Sequence, residues 1–218
     1  MESVTRGGTR WKRFALVMVP SVAATAAIGV GLAQGALAAS FAVSGQEFKV
    51  KAGHLTGHGF AQYGGVDMGY ADVKGDAKTA HPVAISSFQN ATINNMCQSV
   101  VTDVPFVGKV TLKLKAGDKE AVQAKNLYLD VSELDADATF TNIDIGVAAR
   151  DTAASKGGKG PEIKPRENFL ENGFAQQAEV AELDGVEQKA WATTAGTFKL
   201  SGLSMRLLKG SGAGIECY

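Results

Sequence analysis

The chain has 218 residues with 22 basic and 22 acidic side chains, so its formal net charge is zero. A hydrophobic fraction of 45% allows a packed core and argues against wholesale disorder. Balanced charge leaves no basic face, which makes nucleic acid an unpromising partner.

The chain begins with a basic cluster, Arg6, Arg10, Lys12 and Arg13, ahead of the uncharged run Phe14 to Ala33. The twenty residues of this run, interrupted only by the polar Ser21 and Thr25, would as a helix reach across roughly 30 Å of hydrocarbon, and the bases in front of them set the N-terminus inward. Ala36-Leu37-Ala38 has the small-x-small pattern of a signal-peptidase site. Residues 1–38 therefore read as a signal peptide or a membrane-anchor helix, with 39–218 as an extracytoplasmic domain. Cleavage removes four of the 22 bases and one of the 22 acids, leaving a net charge near −3.

Beyond the leader, apolar residues recur at every second position. The runs 41–50, 108–117, 125–134, 138–147 and 196–205 read as strands with one buried face. The expected fold is mainly β: a curved, mostly antiparallel sheet (sandwich, open barrel or layered sheet) behind one N-terminal hydrophobic helix. The glycine-led connection Lys115 to Lys119 suggests a hairpin turn. Residues 150–165 hold three glycines and two prolines without apolar periodicity, and read as a mobile surface loop. A short helix ending near Asn172, stopped by Gly173, is the one helical expectation in the domain. F-x-[VL]-S-G occurs at 41–45 and 198–202 and GFAQ at 59–62 and 173–176, in opposite order, so no tandem repeat follows.

Cys97 and Cys217 have one intramolecular pairing available, and an exported chain would oxidise it. Catalytic signals are thin. Gly202-Leu203-Ser204-Met205-Arg206 lacks the second glycine of a nucleophile elbow and lies in an alternating run. His54 and His58 stand four apart, a metal-binding spacing on a helix, but among Gly53, Gly57 and Gly59 that geometry is lost. His81 stands alone. Glu133, Asp135 and Asp137 share one face of a strand and read as its solvated side. Asp67, Asp72 and Asp76, among glycines, read as turn acids. Gly158-Lys159 is followed by Gly160, which excludes a phosphate loop. No metal or cofactor is called for.

The alternation does offer a continuous apolar surface. Phe41, Val43 and Phe48 come from the first run, and Leu127 and Leu129 from the third. Phe140 and Ile143 come from the fourth, and Phe198, Leu200 and Met205 from the last. In a closed sandwich such residues pack together; in a curved sheet or open barrel they line a groove for a lipid chain.

With the leader, the F-x-V-S-G strand, the GFAQ element and the terminal Cys217-Tyr218 in view, the chain resembles a family of small actinobacterial exported proteins without established function. Some members carry the label "cholesterol esterase", which implies an elbow serine that this sequence lacks. Residues 124–147 are also similar to strand pairs of bacterial envelope lipid-binding proteins built on long curved sheets. The resulting expectation is a non-enzymatic envelope protein that meets the membrane through its N-terminal helix and binds lipid or an envelope partner. A structural or interaction module is the second expectation and an esterase the third.

Overall fold

The computed structural model describes residues 44–73, 75–164 and 168–218. The leader and its expected helix, the candidates Phe41 and Val43, and the start of the first expected strand lie outside the described residues. Among those described, no helix is long and apolar enough to cross a membrane.

The described residues belong to one compact unit, 41–218. It holds eight strands: β1 (Phe48–Tyr70), β2 (Lys78–Asn94), β3 (Met96–Val104), β4 (Gly108–Ala116), β5 (Val122–Thr141), β6 (Asp144–Ala148), β7 (Phe174–Lys199) and β8 (Ser204–Lys209). All join one antiparallel sheet in the order β6-β7-β5-β2-β1-β3-β4-β8, and β7 also pairs with β1. The pairings β1–β2, β2–β5, β5–β7 and β7–β1 thus form a closed circuit. Antiparallel, curved and closed in part, the sheet is of the class its alternation predicts.

Three stretches of chain turn a corner without reversing. β2 runs into β3 at Asn95 (φ 52°), β4 into β5 at Gly117 (φ 79°), and β7 into β8 by way of Gly202 (φ 68°). The corners are stitched together: the Asn95 amide donates to the Gly117 carbonyl and the Gly117 amide to the Ser201 carbonyl, each at 2.8 Å. Gly117 is required here, because a Cβ would stand 2.8 Å from the Ile93 carbonyl oxygen in a left-handed conformation that L side chains disfavour. The expectation of a hairpin at 115–119 is corrected accordingly. β4 pairs with β3, and β5 with β2 and β7, so the chain bends at Gly117 instead of folding back.

Inside the circuit Phe60, Phe88, Leu55, Leu127, Leu129 and Val131 pack with small residues of β7, Ala178 and Ala181. Phe60 lies between Phe88 and Phe140 in tilted ring contacts, with ring centres 5.4 and 5.3 Å away. Glycine admits the largest of these rings. A Cβ on Gly57 would lie 2.1 Å from Cδ1 of Phe88. A second apolar cluster, Tyr63, Val83, Ile85, Ala149 and Ala175, lies on the other side of the wall.

The described part of the connection between β6 and β7, including most of the stretch read as a mobile loop, covers that second cluster. Over 150–164 it forms two 3₁₀ turns, Ala149–Thr152 and Ala154–Lys156, and is fastened to the sheet. Gln89 Nε2 donates to the carbonyls of Lys159 and Gly160, each at 3.1 Å, and the Tyr128 hydroxyl donates to the Glu162 carbonyl. Residues 168–173 form a bridge and a turn closed by the Gly173 amide on the Leu170 carbonyl at 2.8 Å, so the described part of the expected helix is not helical.

Candidate functional site

An open cavity of about 910 Å³ lies at the rim of the circuit, where the two ends of β1 and the middle of β7 approach one another. Phe48 and Tyr70 come from β1, Trp191 and Phe198 from β7, and Leu200 from the corner that follows. Gln98, Thr193, Asp72 and Asp76 add polar atoms to the same lining. Trp191 is held in place by a stack on His81, with ring centres 3.8 Å apart, and His81 Nε2 donates to the Tyr70 carbonyl at 3.1 Å.

Two smaller voids continue inward. A void of about 30 Å³ shares Gln98, Thr193 and Phe198 with the rim cavity. It also shares Leu55, Leu129, Val186 and Gln188 with an inner cavity of about 140 Å³. β5 parts from β2 after Val131 and continues on β7 alone, so its second half lies over this inner cavity. Leu134 and Ala138, both exposed, border the opening that results.

The sequence-predicted residues divide among these places. Phe48, Phe198 and Leu200 meet at the rim cavity. Leu127 and Leu129 line the small void, and Leu129 and Phe140 the inner cavity. Ile143 packs against the core without lining a void, and Met205 stands 63% exposed on β8, away from all of them. Alternation did not reveal Trp191, Tyr70 or Gln188, which lie in stretches read as loop or left unassigned.

Cys97 and Cys217 form the expected disulfide. It ties the last residues across β3, where the Cys217 amide donates to Ser99 Oγ at 3.2 Å and Lys113 Nζ to the Glu216 carbonyl at 2.7 Å. Lys49 Nζ meets Glu216 Oε2 at 2.9 Å, and this contact together with the Gly212 amide holds the Glu216 carboxyl below its ordinary range. Burial against neighbouring acids pushes the Tyr218 phenol up to about 12.

The candidate catalytic groups stay apart. Ser204 opens the edge strand β8, not a strand–turn–helix. His54 Nδ1 lies 2.6 Å from Asp184 Oδ1 and its Nε2 2.9 Å from Thr56 Oγ1. Glu133 pairs with Lys189 in solvent, and Asp135 and Asp137 are exposed beside it. Among the described residues no group of three or more His, Cys, Asp or Glu side chains converges as a metal site would require.

One carboxylate stands out. Asp130, on β5, is buried, and its Oδ1 has no hydrogen-bond partner. Burial, reinforced by the nearby charge of Asp67 and opposed by Lys164, raises its pKa from 3.8 to about 6.

Residues 44–218 match a family described as "Family of unknown function (DUF6230)", and the chain belongs to that family. No curated protein and no solved structure matches it.

Proposed function

We propose that this DUF6230 member is a non-enzymatic protein of the cell envelope, exported or held at the membrane by its N-terminal segment, that receives a lipid chain in the rim cavity. The observation that carries the reading is the convergence of Phe48, Phe198 and Leu200 with Tyr70 and Trp191 around about 910 Å³ of open space. Ligand cavities are of this size and apolar character, with a few polar groups to orient the guest. The disulfide adds support for an extracytoplasmic setting, since such bonds persist in oxidising compartments.

Mass spectrometry of organic extracts of the full chain, purified from membranes of its native host, tests the reading. A stoichiometric lipid is expected. Trp191 supplies a second readout: of the two tryptophans only Trp11 competes, so a Trp11→Phe chain reports the rim alone. Absence of lipid, together with Trp191 emission indifferent to phospholipid and fatty acid, overturns the proposal.

A structural or interaction module is the second reading, favoured by the open edge of the sheet. There β8 exposes Met205 and Leu207, and the β3–β4 turn exposes Phe106 completely. That reading expects self-association or capture of an envelope protein in sedimentation measurements, and a strictly monomeric chain counts against it.

A further inference from the structure

We infer that the inner cavity is a second binding site, for a neutral, ring-sized apolar group carrying one hydroxyl or carbonyl oxygen, with Gln188 as the residue that recognises the oxygen. Its walls are apolar: Leu55, Phe60, Phe88, Phe140, Leu183 and Val186 contribute most of them. At about 140 Å³ it approaches the roughly 150 Å³ apolar cavity that is known to take up benzene.

The polar groups of the cavity are unequal. Gln62 is spent, because its Nε2 donates to Ser86 Oγ at 2.8 Å and its Oε1 accepts from Gln176 Nε2 at 2.7 Å. Gln188 is only 5% exposed, and among the described residues its amide makes no hydrogen bond. It lines the inner cavity and the small void together. Its amide faces the open space of the cavity without a protein partner, so a guest whose oxygen completes it is favoured over one that offers none. No Asp, Glu, Lys or Arg lines the cavity, which leaves a charged guest uncompensated and selects neutral ones. The opening beside Leu134 and Ala138 gives this site its own route to solvent, so it does not depend on what fills the rim.

Phenol and toluene test the assignment, since they match in size and differ by a hydroxyl in place of a methyl. Titrated into the full chain, phenol is expected to shift the side-chain amide resonance of Gln188 and to bind roughly tenfold more tightly than toluene. Gln188→Leu is expected to abolish that preference while still admitting toluene. Trp191 emission stays unchanged throughout, because Trp191 lines the rim cavity and not this one, so the two sites succeed or fail separately. Equal affinity for the two probes, or no movement of the Gln188 resonance in the wild-type chain, overturns the inference and leaves the amide to a resident water in the 30 Å³ void.

Discussion

The sheet is built two ways on either side of its corners. On one side β1, β2, β5 and β7 pair in a closed circuit, and their inward side chains make a core. On the other side β3, β4 and β8 continue the same strands but end on the open edge of β8. There the row Leu112–Leu207 is exposed on one face. The opposite face is covered by the C-terminal segment, fixed by the disulfide and by Lys49 and Lys113. Closure lets one half hold itself by burial, whereas the other needs covalent and polar fastening. Three or more strands with one covered face form a stable sheet, but an open edge gains nothing from a second neighbour.

Cutting the fastening breaks the comparison most strongly. The disulfide spans 120 residues, and chain entropy alone assigns it about 4–5 kcal/mol. A Cys97→Ser, Cys217→Ser chain is expected to lose that much unfolding free energy in urea, with β4 and β8 amides exchanging before those of β1 and β2. Uniform exchange across the sheet would show that the two halves are one cooperative unit.

Asp130 probes the closed half from its outer side, beneath the 149–164 cover. An acid whose pKa is raised in the fold keeps its proton longer than in the unfolded chain. Stability is therefore unaffected below pH 3.8, falls as pH rises towards about 6, and stays lower above it by up to about 3 kcal/mol. Asp130→Asn is expected to flatten this fall and to gain roughly 1–3 kcal/mol at pH 7 relative to pH 4, read from urea curves at the two pH values. A loss at pH 7 would mean that the carboxylate is compensated in the fold.

Gly57 probes the same half from within. Its absent Cβ is the space in which Phe88 sits, and Gly57→Ala is expected to cost about 1–3 kcal/mol through overpacking. Restoration by Phe88→Leu in the same chain would tie the loss to that contact.

These two residues also show why the closed half was the harder one to read. β4 and the first half of β5 place apolar residues at every second position and are visible in the sequence, even though Tyr128 and Asp130 on the other face of β5 are buried under the cover. β2 is buried on both faces, with Phe88 inward and Ile85 under the second cluster, so its alternation dissolves into a mixed run. β1 carries Gly53, Gly57, Gly59, Gly64, Gly65 and Gly69, which lowers strand propensity while making room for Phe88 and for Ile85. In β7, Ala, Glu and Gln suggest a helix, yet pairing on both edges overrides propensity and the narrow interior selects alanine. Phe48, Phe198 and Leu200, which line the rim cavity, were legible as members of one apolar face because they keep period two. Gln188 was not, because a polar residue in an inward position has the appearance of a solvent-facing one until the register is known.

The smallest expected effect is at the open edge. Leu207 is 72% exposed and faces Leu112 across the β4–β8 ladder. Its replacement by Thr removes little buried area and introduces a β-branched residue suited to an edge strand, so unfolding free energy is expected to change by no more than about 0.5 kcal/mol. The same substitution shrinks the apolar row beside Met205 and is expected to weaken self-association wherever that edge mediates it. A loss above about 1.5 kcal/mol would carry a different message. It would mean that this face is covered in the working protein, and that the open half resembles the closed half in relying on burial after all.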